Sequence, residues 1–334
     1  MIYDKIKVYV TRRIANILAK DADSFEFRKR DGVTPNKNAL LTALIVNYSD
    51  EFRARQENLH KKIRSTLSEK TRLSEAGAQE LCYKIAEVVN REFASDSVEN
   101  FSAQVSLKPT KESQPVIDYT EEYLLGGCSL SEYFRNMFAS YASLSQDKRE
   151  EIIFKPVHDL LSEAIREGKK VFITTSGRDR KTEISPYAFA RSKEEMHVYL
   201  LASAGGECKT FRLSRIKSVN LLSTDAVFSD EERETYAKMQ EYGPQFSYTP
   251  GKTEIVVRLT EQGIYKFRNL YVHRPMPKKI NGNEYVFDCS PSQVIQYFER
   301  FGNDAYIVSP VEIRNIVFNF HRRAVKMYKD GHIE

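Results

Sequence analysis

Strict alternation opens the chain. In Lys5-Ile-Lys-Val-Tyr-Val10, Ile6, Val8 and Val10 fall on one face of an extended strand and Lys5, Lys7 and Tyr9 on the other. The same period returns in Phe101-Ser-Ala-Gln-Val-Ser-Leu-Lys108, with Ala103, Val105 and Leu107 inward and Gln104, Ser106 and Lys108 outward. Helical periodicity follows each strand. Thr11–Leu18 follows the first, then a break at Arg30-Asp-Gly-Val-Thr-Pro35, with Thr34 as N-cap and Pro35 at the first helical position. The next helix, Asn36–Arg53, is expected to bury Leu40, Leu41, Leu44, Ile45 and Tyr48. A helical connector, Ser74–Phe93, leads to the second strand, whose helices are Gln114–Leu125 and Leu130–Leu144 around Gly126-Gly-Cys-Ser-Leu-Ser131.

Strand, helix, capped turn and helix, met twice, is the outline of a ribbon-helix-helix unit. The repeat predicts that one chain supplies both strands of a ribbon that such proteins otherwise build by dimerisation. An irregular helical domain with two edge strands is the alternative.

A further helix is expected over Lys148–Glu167, with Ile152, Ile153, Val157, Leu160, Leu161 and Ile165 on one stripe. From Lys169 the period changes to two, predicting strands at Lys170–Thr175, Lys181–Ala190, Met196–Ala202, Lys209–Leu213 and Lys217–Leu222. Five short strands with tight turns at Lys193-Glu-Glu195 and Ala204-Gly-Gly206 suggest a small barrel. After Phe228 the chain reads as a charged linker or lid through Pro250-Gly-Lys. A third region alternates strand and helix: Glu254–Leu259, Gln262–Arg268, Glu284–Phe287 after the Asn281-Gly-Asn turn, Pro291–Phe301, Ala305–Val308, and a helix from Pro310. That last helix is expected to bury Ile313, Ile316, Val317, Phe320, Ala324 and Met327 beneath an exposed row of Arg314, Arg322, Arg323, Lys326 and Lys329.

The fold class expected is therefore α+β and multidomain. Residues 1–147 form a helical ribbon-helix-helix-like domain with half-units at 1–60 and 98–147, and 148–168 form a connecting helix. A small five-stranded Sm/SH3-like barrel occupies 169–228, a linker 229–253, and an α/β extension with an expected dimer surface 254–334.

Composition narrows the chemistry. With 334 residues and 41% hydrophobic content the chain fills two or three cores, and 51 Lys and Arg against 46 Asp and Glu leave a formal charge of only +5. An anionic partner must then be held by local clusters of charge. Cys82, Cys128, Cys208 and Cys289 lie far apart, without CxxC spacing or paired histidines, so a reduced, metal-free cytoplasmic protein without cofactor is expected. No leader is expected at the N-terminus, where lysines already alternate, and no stretch is apolar enough to span a bilayer.

The densest chemical signal lies in the expected barrel. Tyr187, Tyr199, Arg212 and Arg215 sit on strands flanked by the loop Ser176-Gly-Arg178-Asp-Arg180-Lys181. Guanidinium forks suit phosphate oxygens and aromatic rings stack on unpaired bases, so this mixture suits single-stranded nucleic acid or a nucleotide. Tyr199 also reads as a half-buried strand residue. Arg212 and Arg215 would face opposite ways on a regular strand, and meet one ligand only if the chain turns between them. The outward residues Lys5, Lys7 and Tyr9, with Gln104, Ser106 and Lys108, fit a groove-reading ribbon, and equally fit charged protection of an exposed edge.

The stretches Thr182–Phe189, Met196-His-Val-Tyr-Leu-Leu-Ala202 and Lys209-Thr-Phe-Arg-Leu-Ser-Arg-Ile216 resemble the WYL domain family, whose hallmark is an aromatic-Tyr-Leu strand, a short glycine turn and a Phe-x-Leu-x-Arg-Ile strand. Here the triplet is Val198-Tyr199-Leu200 and the second block Phe211–Ile216. The hallmark tryptophan is replaced by Val198. Ser214 stands where an acidic residue usually precedes Arg-Ile, which leaves Arg215 without an adjacent carboxylate and freer to meet an anion. The resemblance implies a ligand-responsive nucleic-acid regulator. With a ribbon-like N-domain it is similar to the WYL accessory proteins of type VI-D CRISPR systems, which implies single-stranded RNA as ligand and an RNA-guided RNA nuclease as the partner stimulated. A homodimer is expected. The alternative is a transcription regulator binding duplex DNA and sensing a nucleotide.

Arg314 to His321 matches the loose Arg-to-His spacing of HEPN ribonucleases, a second alternative, but Arg55 to His60 and Arg191 to His197 match it too. Gly251-Lys252-Thr253 resembles the end of a phosphate-binding loop, yet the earlier glycine is Phe246. His158, His273 and His332 are isolated. No catalytic residue and no metal ligand is assigned.

Overall fold

The two alternating segments pair with each other. Strand β1 (Ile6–Val10) runs antiparallel to β2 (Ala103–Leu107), with Lys7 opposite Ser106, Val8 opposite Val105 and Tyr9 opposite Gln104. The computed structural model describes residues 4–70, 74–94, 101–125, 128–192, 196–244, 254–270 and 275–331. The expected turns at Gly126-Gly127 and Lys193–Glu195, and the residues Phe246, Gly251–Thr253, His273 and His332, lie outside them. The chain divides into two compact units, residues 1–160 with 213–217 and residues 161–212 with 218–334.

In the first unit, α1 (Arg12–Ser24) begins at Thr11, whose hydroxyl accepts the Ile14 N–H. The start of α2 (Lys37–Lys70) differs from expectation. Asn36 is the cap, its carboxamide oxygen accepting the Ala39 N–H, because Pro35 pairs in a bridge with Arg28 and the Thr34 hydroxyl donates to Asp31. The helix runs past Arg53, since Ala54–Lys70 holds mostly straight-chain residues and neither glycine nor proline. Leu40, Leu41, Leu44, Ile45 and Tyr48 are buried as the periodicity requires.

Next come α3 (Glu75–Ala94), α4 (Gln114–Tyr119) with a π turn over Thr120–Leu124, and α5 (Leu130–Ala142). The helix expected over Lys148–Glu167 is two, α6 (Gln146–Ile153) and α7 (Lys155–Glu167), broken at Phe154 just before Pro156 removes a backbone donor. Leu160 is consequently exposed while Ile152, Ile153 and Leu161 are buried. Three buried polar groups join α1, α5 and α6. Arg149 grips both oxygens of Asp21 at 2.7 and 3.0 Å, and the Tyr141 hydroxyl donates to the same carboxylate at 2.8 Å. Burial, and then the Asp21 charge, hold the Tyr141 hydroxyl well above its usual range.

The second unit carries a five-stranded sheet of β3 (Lys169–Thr175), β4 (Arg178–Arg191), β5 (Val198–Ala204), β6 (Glu207–Arg212) and β7 (Ile216–Asp225), in the order β6-β5-β4-β3-β7. The first half of β4 pairs with β3 and the second with β5, with a bulge between Pro186 and Ala188. The five strands are those expected. The barrel is not closed: among the described residues β6 and β7 remain the two edges. The supposed basic loop is also corrected, because Thr175 pairs with Arg178 and only Ser176-Gly177 turn, Gly177 at φ 75°. Gly205 and Gly206, at φ 64° and 79°, make the tight turn into β6.

The expected linker after Phe228 is a helix, α8 (Asp230–Tyr242), whose start is fixed by a capping box between Ser229 and Glu232. Beyond it, β8 (Ile255–Leu259), α9 (Glu261–Tyr265), β9 (Pro277–Asn281), β10 (Glu284–Phe287), α10 (Pro291–Phe298), β11 (Ala305–Ser309) and α11 (Val311–Asp330) build an antiparallel sheet ordered β11-β8-β10-β9 with helices. Strand β9, Pro277-Lys-Lys-Ile-Asn281, was not anticipated, since an edge strand this polar shows no alternation. In α11 only Ile313 is buried. Ile316, Phe320 and Met327, expected in the core, are exposed, because β11, α10 and the turn before β11 cover chiefly the start of the helix.

Candidate nucleic-acid interface

Tyr199 lies directly opposite Arg212 across β5 and β6, and opposite Ala190 on β4. Cross-strand partners share a face, with Cβ atoms roughly 5 Å apart, so the two side chains rise side by side from the same face of the sheet. Both are half-buried. The alternation that exposes them buries Val198 and Leu200 on the opposite face. Further along the Tyr199 face, Leu201 and Cys208 meet Tyr236 of α8 in a small core of their own. Burial pushes the Tyr236 hydroxyl and the Cys208 thiol up, as befits groups sealed under a helix.

Tyr187 belongs to that covered end. Its ring stacks on Tyr236 at 4.4 Å and meets Phe228 edge-on at 5.1 Å. Ser176 turns the β3–β4 hairpin. Arg178 opens β4, its side chain lying outside the described residues. Arg180 and Lys181 follow it, on opposite faces of the strand, both exposed and, among the described residues, without an ion-pair partner. Neighbouring lysines are already neutralised, Lys170 by Glu183 at 3.0 Å and Lys169 by Asp225 at 2.6 Å. Exposed positive charge thus stands at this end of the β3–β4 hairpin, as it also does at Lys217 on β7. The hairpin end is separated from the Tyr199–Arg212 pair by about ten positions along β4.

The chain does turn between the two arginines, through a 3-10 turn at Leu213–Arg215. That turn belongs to the first unit, and Arg215 is not left without a carboxylate. Glu26 supplies one from far away in sequence, accepting from Nε at 2.9 Å and lying 2.8 Å from Nη2. Beside it the Ser214 N–H donates to the buried Glu150 at 3.2 Å. Neither acid was anticipated. Glu150 shares a helical stripe with Ile153, at i and i+3, which marks the position as inward-facing whatever its charge.

The ribbon forms a second polar surface. Lys5, Lys7, Tyr9 and Gln104 are exposed beside the partly exposed Ser106, and among the described residues neither lysine has an ion-pair partner. The free edge of β1 is closed by α5: Ser131 donates to the Lys7 carbonyl at 3.0 Å, and Arg135 to the Tyr9 carbonyl at 2.7 Å while lying 4.1 Å over the Phe101 ring. The edge of β1 is therefore not open to strand addition at these two carbonyls. On α11, Arg314 donates to the Tyr306 hydroxyl at 3.0 Å, and His321 packs on Phe320.

Among the described residues no group of acids, histidines or cysteines is disposed to hold a metal, and no helix is long and apolar enough to cross a membrane. Residues 156–221 match the WYL domain family, so the chain carries a WYL domain from α7 through most of β7. A solved structure titled "Crystal structure of a CRISPR Cas-related protein" is similar over 100% of this chain and 96% of that one, at TM-score 0.69 and 18% identity, which shows a shared fold. A second, "Proteasome accessory factor B/C (PafBC) of Arthrobacter aurescens", aligns over 95% of this chain and 54% of that one at 13% identity, with a TM-score of 0.26 that supports no argument. No curated protein matches the chain.

Proposed function

We propose that this WYL-domain chain is a non-catalytic, cytoplasmic accessory protein that binds single-stranded RNA on its WYL sheet and stimulates an RNA-guided nuclease of a type VI-D CRISPR system. The carrying observation is the Tyr199–Arg212 pair, a stacking ring beside a guanidinium. Arg180, Lys181 and Arg178 at the hairpin tip add charge for the phosphate backbone, Ser176 adds a hydroxyl, and Tyr187 and Arg215 contribute less because Tyr236 and Glu26 already engage them. The bulge at Pro186 supports an Sm/SH3-like curl of the sheet. The CRISPR setting is supported by the whole-chain likeness to a protein so titled. Homodimerisation through α11 is supported by its exposed Ile316, Phe320 and Met327.

A second reading, a duplex-DNA regulator, is favoured by the ribbon, whose Lys7–Ser106 and Tyr9–Gln104 pairs form a polar outward face of the kind a ribbon-helix-helix unit would use. Competition at several salt concentrations separates the two readings. Single-stranded RNA is expected to displace a labelled RNA probe at lower concentration than single-stranded DNA or a palindromic duplex. A duplex that competes best would favour the regulator.

A further inference from the structure

Within the first unit an open cleft of about 530 Å³ belongs neither to the ribbon nor to the WYL sheet. Its volume lies within the range of roughly 300–1,000 Å³ usual for small-molecule sites. Tyr133 of α5 lines it, 8% exposed, with a hydroxyl that has no hydrogen-bond partner among the described residues, and its ring meets Phe52 of α2 edge-on at 5.4 Å. A buried hydroxyl left without a partner is destabilising, and its persistence in the lining of a cleft points to a partner that arrives from outside.

The walls say which kind of partner. Tyr83 of α3 and Tyr123 of the π turn are 51% and 62% exposed, large rings that solvent does not favour leaving open. Each is braced, Tyr83 against His60 at 5.3 Å and Tyr123 against Tyr119 at 5.1 Å, so both are held as stacking surfaces. The charged groups disfavour phosphate. Glu57 and Glu132 line the cleft against one guanidinium, Arg53, which already pairs with Asp50 at 3.1 Å, while burial lowers the pKa of His60 and favours its neutral form. Gln56 and Asn136 supply amides that both donate and accept. Arg53 on the same wall opposes a polyamine.

We propose that this cleft binds an uncharged planar heteroaromatic ring, a nucleobase without its phosphate, stacked on an exposed tyrosine with one edge group hydrogen-bonded to the Tyr133 hydroxyl. The site stands independently of the WYL-sheet reading, so the failure of either leaves the other intact. The ring arrives either on a free nucleoside or as an unpaired base of RNA.

Calorimetric titration of the full chain with adenosine, guanosine, cytidine, uridine, adenosine 5′-monophosphate, spermidine and a short single-stranded RNA tests it. At least one nucleoside should saturate the chain, and adenosine should bind more tightly than its monophosphate. Tyr133→Phe should weaken nucleoside binding roughly tenfold, the loss of one buried hydrogen bond, without lowering the melting temperature. A loss confined to the nucleoside identifies the free compound as the source, and a parallel loss for the oligonucleotide identifies an RNA base. No nucleoside binding at millimolar concentration, tighter binding of the monophosphate, saturation by spermidine alone, or unchanged affinity in Tyr133→Phe would overturn the proposal.

Discussion

Arg215 and Glu26 stand 189 positions apart in sequence, yet Nε and Nη2 of the arginine both reach one oxygen of the glutamate, at 2.9 and 2.8 Å. The arginine of the Phe-x-Leu-x-Arg-Ile block is thereby held within the first unit, and the chain compensates for Ser214 with an acid brought in by the fold. Glu26 itself sits at φ 60°, a left-handed conformation that a non-glycine residue keeps only when its surroundings enforce it. Glu26→Gln should remove the negative charge beside the guanidinium and raise affinity for single-stranded RNA at low salt, measured by fluorescence anisotropy. Because the pair is partly exposed, stability should fall by only about 0.2–1 kcal/mol. Unchanged RNA affinity in Glu26→Gln would remove Arg215 from the binding surface.

The buried Asp21–Arg149–Tyr141 group should behave very differently. Arg149→Ala leaves a carboxylate of 0% exposure without its counter-charge, which should cost about 3–5 kcal/mol in urea denaturation. Tyr141→Phe removes a single donor to the same acid and should cost about 1 kcal/mol. Equal losses in the two variants would show that Asp21 is stabilised by something other than the guanidinium.

Asp31 sets a pH dependence in the turn before α2. The Thr34 hydroxyl and the Thr34 and Val33 N–H groups all donate to its carboxylate, lowering its pKa from an ordinary 3.8 to about 2. A depressed carboxylate contributes stability that is complete above the unfolded value and is lost as pH falls through the folded one. The contribution should therefore fade between pH 3.8 and about 2 and be absent in Asp31→Asn. A carboxyl titration followed by NMR should show a midpoint near 2; a midpoint near 3.8 would mean the turn is open in solution.

The exposed row on α11 supports self-association. Ile316, Phe320 and Met327 are 52%, 39% and 47% exposed and return to one face of the helix. Phe320→Glu should convert a dimer to a monomer in sedimentation velocity without changing the melting temperature of the dilute protein. Identical sedimentation of variant and parent across concentrations would exclude α11 as the interface.

Much of the architecture was legible because period and punctuation agree. Ile6, Val8 and Val10, with Ala103, Val105 and Leu107, announce two half-buried strands, and their pairing follows from both needing a partner. Gly205 and Gly206 fix the β5–β6 hairpin, which in turn sets Tyr199 opposite Arg212. What escaped rests on long-range chemistry or on weak local signals. The Ser229–Glu232 capping box marked α8, but the charged residues after it read as linker. The covering of Tyr187 by Tyr236 follows from that helix and is invisible in the strand itself. Glu26 and Glu150 reach the turn at Leu213–Arg215 only through the tertiary fold, so no sequence spacing reports them.

The Tyr199–Arg212 pair is the proposed RNA-binding element. Affinity for a labelled single-stranded RNA should be measured over a salt series for the parent chain, Tyr199→Ala and Arg212→Ala. Tyr199→Ala should lose about 1–3 kcal/mol of binding with an unchanged salt slope, because stacking releases no counterions. Arg212→Ala should weaken binding and reduce the slope by about one phosphate contact. Parent-like affinity and slope in both variants, with melting temperatures intact, would contradict the WYL sheet as the site where RNA binds.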